Sequence, residues 1–154
     1  VVQEYHELAE QQAVQFYIEV DPGIPLVPGD RRQLYLAFTH LIENAIKFSP
    51  TGGNVLLHIW SEDDDAFVSV TDQGIGIADV HIHRIFERFY QIDGSTTRRF
   101  GGMGIGLALV WDIIEAHGGS VHVDSRPNEG STFTARLPHR PSDEGESSAS
   151  EQAP

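Results

Sequence analysis

The spacing of apolar residues along this chain changes several times, and each change marks an element. From Arg31 to Phe48, residues Leu34, Phe38, Leu41, Ile42, Ala45 and Phe48 fall within one arc of about 120° when each position is turned by about 100°, which predicts an amphipathic helix. Asp30 stands ahead of it with Gln33 three positions later, the spacing of a capping box. Phe16 to Val20 reads as a strand, and Asp21-Pro22-Gly23 with Pro25 and Pro28-Gly29 as a stiff, turn-rich connection. Ser49 to Gly53 ends the helix. Val55 to Trp60 and Ala66 to Thr71 alternate as two strands, joined by an acidic turn at Glu62-Asp63-Asp64-Asp65 that reads as a solvated hairpin loop rather than a metal site. Asp79 to Tyr90 has helical spacing in Ile82, Ile85, Phe86 and Phe89. A further helix runs from Ile105 to His117-Gly118-Gly119, where glycine supplies the cap. Val121 to Val123 and Thr132 to Leu137 are strands around a turn at Pro127 to Gly130.

Three stretches lack a pattern that could be buried. Residues 1–13 are polar and helix-compatible, and read as the end of an upstream helix or linker. Gln91 to Phe100 is rich in Ser and Thr and holds Arg98 and Arg99; a segment with so little to bury reads as a mobile lid. Residues 139–154 are Ser- and Glu-rich and read as a disordered acidic tail. That leaves residues 14–138 as one domain.

Composition narrows the function classes. At 154 residues with 40% hydrophobic and 21% charged positions, the chain can bury one α/β-sized core. A formal net charge of -13 argues against nonspecific binding of nucleic acid or anionic membranes. Without cysteine there is no disulfide framework and no thiolate metal site. No apolar run approaches the roughly 20 residues of a membrane span, and no signal peptide is visible, so the chain reads as soluble.

Candidate chemistry concentrates in three places. Phe100-Gly101-Gly102-Met103-Gly104-Ile105-Gly106-Leu107 crowds glycines ahead of a helix, whose first amides lack intrahelical partners and attract anions. The G-x-G-x-G spacing, late in the chain and after Thr96-Thr97-Arg98-Arg99 rather than a strand, is not that of a nicotinamide-binding turn. On the Arg31–Phe48 helix, His40, Asn44 and Lys47 form a second stripe apart from the apolar one. An amide oxygen and an ammonium one turn apart suit a magnesium–phosphate group; taken alone, the same stripe also fits ordinary solvated polar residues. Asp72-Gln73-Gly74-Ile75-Gly76-Ile77 places a carboxylate at a strand end, where it could accept a hydrogen bond from an adenine amino group or simply form a turn, and the two glycines would let a flat ring lie against the backbone.

Together these segments resemble the catalytic and ATP-binding domain of sensor histidine kinases, in the superfamily that includes gyrase, heat-shock chaperone and mismatch-repair ATPases. The likeness runs from about Gln12 to Pro138. His40-Leu41-Ile42-Glu43-Asn44-Ala45-Ile46-Lys47-Phe48 resembles the N box and Asp72-Gln73-Gly74-Ile75-Gly76 the first glycine box. Phe86-Glu87-Arg88-Phe89-Tyr90 resembles the F box and Gly102-Met103-Gly104-Ile105-Gly106-Leu107 the second glycine box. His117-Gly118-Gly119 and Gly130-Ser131-Thr132-Phe133 follow as in the kinases.

The resemblance implies an α+β, two-layer sandwich (the Bergerat ATP-binding fold), with a mixed sheet of about five strands packed on three helices and a mobile ATP lid. It implies that Asn44 coordinates magnesium, Lys47 touches phosphate and Asp72 recognises the adenine amino group. Gly74, Gly76 and Ile77 would line the base, Tyr90 would lie near the nucleotide, and the amides of Gly102, Met103, Gly104, Ile105, Gly106 and Leu107 would hold the phosphates. His40 stands where these kinases usually carry Asn and related hydrolytic ATPases a Glu, so hydrolysis by the gyrase route is not expected; His40 would support the magnesium shell through a water or pack on the cleft wall. Gln91 stands where many kinases have Arg for the terminal phosphate, a duty open to Arg98 or Arg99. Met103 replaces a small or hydroxyl residue, which affects only side-chain contacts.

Other histidines are set aside. Tyr5-His6-Glu7-Leu8 resembles the core of the kinase phosphoacceptor motif, but only five residues precede His6 and the usual Arg-Thr-Pro is absent. His81 and His83, two apart on an expected helix, point away from each other. Glu43 reads as the helical partner of Lys47 rather than as a catalytic group. The resulting expectation is a protein-histidine kinase fragment that uses ATP and Mg2+ and lacks its own acceptor. Its partners would be the dimerisation and phosphoacceptor domain of the same protein and a response-regulator receiver domain, with no nucleic acid. The fragment would be monomeric and the full-length protein a homodimer. The setting would be cytoplasmic, including the cytoplasmic portion of a membrane-anchored sensor. The rival readings are a nucleotide-binding module without kinase turnover, and a serine kinase or ATPase of the same superfamily.

Overall fold

The computed structural model describes residues 5–92 and 103–139. A short helix α1 (His6–Gln11) leads into strand β1 (Val14–Val20), and after the proline-rich connection comes the long helix α2 (Arg31–Lys47). The hairpin β2 (Gly53–Glu62) and β3 (Asp65–Asp72) follows, then a single turn of helix α3 (Asp79–Ile82), helix α4 (Gly106–Ala116) and a second hairpin of β4 (Ser120–Arg126) and β5 (Gly130–Leu137). The five strands form one sheet in the order β1-β2-β3-β5-β4. β1 and β2 are parallel, starting at Val14↔Gly53, because the crossover helix α2 lies between them; the remaining pairs are antiparallel. This is the expected α+β sandwich with a mixed five-stranded sheet.

α2 starts where its cap predicts, with Asp30 Oδ1 accepting from the backbone N–H of Arg32 at 2.8 Å and of Gln33 at 3.2 Å, a cap that contributes typically about 1 kcal/mol. Its apolar stripe packs on α4 and the sheet. Leu41, Ile42 and Ile46 of α2, Val110 and Ile114 of α4, and Val55 and Val70 of the sheet are almost fully buried. Strand alternation sends Val55, Val68 and Val70 into this core and turns His58, Trp60 and Phe67 to the opposite, helix-free face. There Trp60 stacks between His58 and Phe67, with ring centroids 4.7 and 5.3 Å apart.

The acidic hairpin is built by Asp63 and Asp64, both with positive φ (51° and 67°), as a two-residue turn between twisted strands requires. Asp65 is more than a solvated charge: its Oδ2 accepts from Arg136 Nε at 2.6 Å, and its Oδ1 accepts from the His139 backbone N–H at 3.3 Å. His139 also places its ring Nδ1 2.8 Å from the Leu26 carbonyl.

The helix expected over Asp79 to Tyr90 is only Asp79–Ile82, and turns follow. Tertiary contacts override the local spacing there. Phe86 is drawn against Trp111 and Phe133, with centroids at 5.1 and 6.3 Å, and Phe89 takes a φ of 64° so that its N–H can donate to the Gly104 carbonyl at 2.8 Å. Phe89 is 73% exposed and does not belong to the buried set. Residues 93–100 of the expected lid and 140–154 of the expected tail lie outside the described residues. Among the described residues no helix is long and apolar enough to cross a membrane.

Candidate functional site

Three elements converge on a cavity of about 1070 Å³, a volume in the range of small-molecule and cofactor sites. The first is α2. Because its apolar stripe is committed to the core, its second stripe is free to form a wall, and His40, Asn44 and Lys47 all line the cavity. Burial lowers the pKa of the Lys47 ammonium below its ordinary value, opposed by the nearby Glu43 carboxylate. Glu43 is not simply the helical partner of Lys47. Its Oε1 accepts from the Tyr5 hydroxyl at 2.5 Å, and its Oε2 lies 3.4 Å from His40 Nδ1.

The second element is the loop that leaves β3. Asp72 lines the cavity while being only 6% exposed, with Oδ1 accepting from the Gly74 N–H at 2.8 Å. Burial pushes its carboxyl up to about 6, against the opposing hydrogen bonds from the backbones of Gly74 and Ser131. A carboxylate held at low solvent exposure is poised to exchange its remaining hydration for a charged hydrogen bond to a ligand. Gly76 and Ile77 line the cavity beside it, and Gly74 does not. Both glycines are demanded by backbone crossings rather than by room for a ring. A Cβ on Gly74 would stand 2.0 Å from the Phe48 carbonyl oxygen, and one on Gly76 would stand 1.9 Å from that of Arg126. The loop is thereby clamped to the end of α2 and to the β4–β5 turn, with Ile75 N donating to Phe48 O at 3.0 Å and Asn128 N to Ile75 O at 2.7 Å.

The third element is the start of α4. Gly104 reverses the chain with a φ of 68°, and Met103, Gly104, Ile105, Gly106 and Leu107 all line the cavity. Ile105 at the N-cap makes no side-chain capping bond, so the first-turn amides have no side-chain acceptor there and no intrahelical one. Tyr90 closes this side, its hydroxyl 2.6 Å from His81 Nδ1 and its ring under the Arg84 guanidinium at 4.2 Å. Gln91 lines the cavity as well. Arg98, Arg99 and Gly102 lie outside the described residues.

Sequence reasoning missed a fourth wall. Leu8 and Gln12 of the leading segment line the cavity, and Gln12 Oε1 is buried without a hydrogen-bond partner. With Tyr5 they recur at the i, i+3, i+7 spacing of one helix face, a signal present in the sequence but too short to stand out. Among the described residues no group of three His, Cys, Asp or Glu could hold a metal ion.

Known proteins resemble this chain in sequence and fold. The sequence profile of the histidine kinase-, DNA gyrase B-, and HSP90-like ATPases matches residues 29–141. The chain is 35% identical over 136 residues to the sensor histidine kinase WalK of Bacillus subtilis, covering 87% of this chain and 22% of WalK. It therefore spans about a fifth of the length of that curated relative. Among solved structures it is similar to the mycobacterial sensor histidine kinase MprB (32% identity, TM-score 0.76, 91% of this chain and 93% of that one). It is also similar to full-length ShkA in complex with AMPPNP (31% identity, TM-score 0.77, 88% of this chain and 28% of that one). Profile, relatives and a cavity walled by the N-box stripe, the Asp72 loop and the bare start of α4 agree: the chain belongs to the histidine kinase-, DNA gyrase B-, and HSP90-like ATPase family.

Proposed function

We propose that this chain is the ATP-binding catalytic domain of a two-component sensor histidine kinase. It would bind ATP and present the terminal phosphate to a histidine on a separate dimerisation and phosphoacceptor domain, for relay to a response-regulator receiver domain. One observation carries the reading: a near-buried carboxylate, an amide-and-ammonium stripe and an uncapped helix start face a single cavity. Asp72 accepts the adenine amino group, while Gly76 and Ile77 lie along the base. The first amides of α4, with Lys47, hold phosphate oxygens. The donors suit magnesium carried in by the nucleotide rather than a resident metal, because an amide oxygen and phosphate oxygens are hard ligands and the described residues hold no metal cluster of their own. Asn44 would hold that ion, which supplies charge neutralisation on the phosphates.

What these residues do is position. The base is fixed at the Asp72 end and the phosphates at the α4 end, so that the last phosphorus faces outward for in-line attack by the incoming imidazole. The parent protein would be a homodimer acting in the cytoplasm, with the isolated domain a monomer. The test is a titration of the chain with ATP, with and without magnesium, followed by addition of the separately prepared acceptor hairpin and labelled ATP. Acid-labile label on the hairpin is the expected result. ATP binding with an unlabelled hairpin would reduce the chain to a nucleotide-binding module, and acid-stable label would point to a serine acceptor.

A further inference from the structure

The cavity wall supplied by the segment entering the domain is connected to the phosphate end by a chain of side chains that crosses three helices. Tyr5, at the start of α1, donates its hydroxyl to Glu43 Oε1 at 2.5 Å. The other oxygen of the same carboxylate lies 3.4 Å from His40 Nδ1, one turn earlier on α2. The His40 ring lies in turn against the first residue of α4: a Cβ built on Gly106 would stand 3.3 Å from that same Nδ1. His40 is thus held between a carboxylate fixed from α1 and the helix start that faces the phosphates. Both His40 and Glu43 line the cavity, with side chains 28% and 39% exposed. A partly exposed imidazole contacting a mobile carboxylate would sample several orientations; the Tyr5 hydroxyl restricts that carboxylate to one.

We propose that Tyr5 and Glu43 are positioning residues that fix the His40 ring at the phosphate end of the cavity, so that the placement of α1 sets how well the triphosphate is held. The proposal rests on the ATP-binding reading above and adds to it a route from the entering segment to the site. The route runs through Tyr5, which is separated from Glu43 by 38 positions and belongs to none of the sequence boxes. It follows that a change at Tyr5 that breaks the Tyr5–Glu43 bond loosens the phosphate end.

The experiment uses Tyr5→Phe, which removes one hydroxyl and changes no charge, in the parent chain and in a His40→Asn background. Affinities are measured for adenosine and for ATP with magnesium, and the His40 ring-proton resonances are followed by NMR, with those of His117 as an internal control. Tyr5→Phe is expected to weaken magnesium–ATP binding about threefold to tenfold, the size of one ordinary hydrogen bond, because Tyr5 acts on the phosphates only through Glu43 and His40. It should leave adenosine affinity unchanged and shift the His40 resonances but not those of His117. In the His40→Asn background the loss should disappear, since the two changes act through one group. Equal losses for adenosine and ATP, the same loss in both backgrounds, or unmoved His40 resonances would each overturn the relay. If the parent chain itself fails to bind ATP, the reading beneath it falls instead.

Discussion

The backbone N–H of Asp30 donates to Nε2 of His117 at 2.9 Å, joining the N-cap of α2 to the C-cap of α4. His117 Nδ1 lies 2.7 Å from the Ile113 carbonyl, so the ring accepts at Nε2 and donates from Nδ1. Two helices that each supply a wall of the cavity are thereby tied away from it.

Replacing that ring tests the tie. His117→Leu is expected to lower the unfolding free energy by about 1–2 kcal/mol, because the Asp30 N–H and the Ile113 carbonyl lose their partner. Urea unfolding would measure it. Asp30→Ala should cost about 1 kcal/mol through the lost cap. An unchanged midpoint for His117→Leu would show that water replaces the ring without cost.

Asp72 makes stability depend on pH in a predictable sense. Its carboxyl titrates at about 6 in the fold, against 3.8 ordinarily, so the native state holds the proton more tightly than the unfolded chain does. The stabilisation is complete below the ordinary value and is lost as pH rises through about 6, amounting to up to about 3 kcal/mol. Asp72→Asn, which keeps an acceptor for the Gly74 N–H, should therefore be more stable than the parent at pH 8 and no more stable at pH 4. Denaturant unfolding at the two values would decide.

Nucleotide affinity should move the other way. Asp72→Ala is expected to lose more than tenfold in ATP affinity, the cost of one hydrogen bond to a charged group at about 1.5–3 kcal/mol. Unchanged affinity in a folded variant would remove Asp72 from the site.

The Asn44 oxygen is expected to act only when magnesium accompanies the nucleotide. Asn44→Ala should bring ATP affinity measured with magnesium down to the value measured without it. Paired calorimetric titrations test this. A variant that keeps the parent's magnesium dependence would place the ion elsewhere.

Two glycines that look alike in sequence should differ when replaced. Gly74→Ala drives a methyl to within 2.0 Å of the Phe48 carbonyl oxygen and should destabilise by more than about 2 kcal/mol. At Gly106 the nearest atoms to the added methyl among the described residues belong to His40, at 3.3 Å, and alanine favours a helix by up to about 1 kcal/mol. Thermal melts of the two variants should separate widely.

The parts of the fold read correctly in advance are those whose information is local. α2 carries its cap at Asp30, its apolar stripe and its polar stripe within 18 residues, and the strands around Asp72 alternate plainly. The helix expected through Phe89 failed because its apolar residues answer to Trp111, Phe133 and Gly104, which are distant in sequence. The part played by α1 went unread for the same reason: Leu8 and Gln12 enter the cavity wall, and nothing beside Tyr5 indicates that its hydroxyl meets Glu43. The carboxylate at position 72 was legible as a candidate, but its burial and displaced titration arise from the whole sandwich.

The chain's two tryptophans lie in unlike surroundings. Trp60 is enclosed by rings on the bare side of the sheet, whereas Trp111 leans on Phe86, which in turn meets Phe133 of the cavity wall. Their fluorescence therefore divides into two natural reporters, one following the integrity of the sheet and the other the packing of Phe86 on α4, and each can be silenced by a single Trp→Phe replacement without adding a foreign dye.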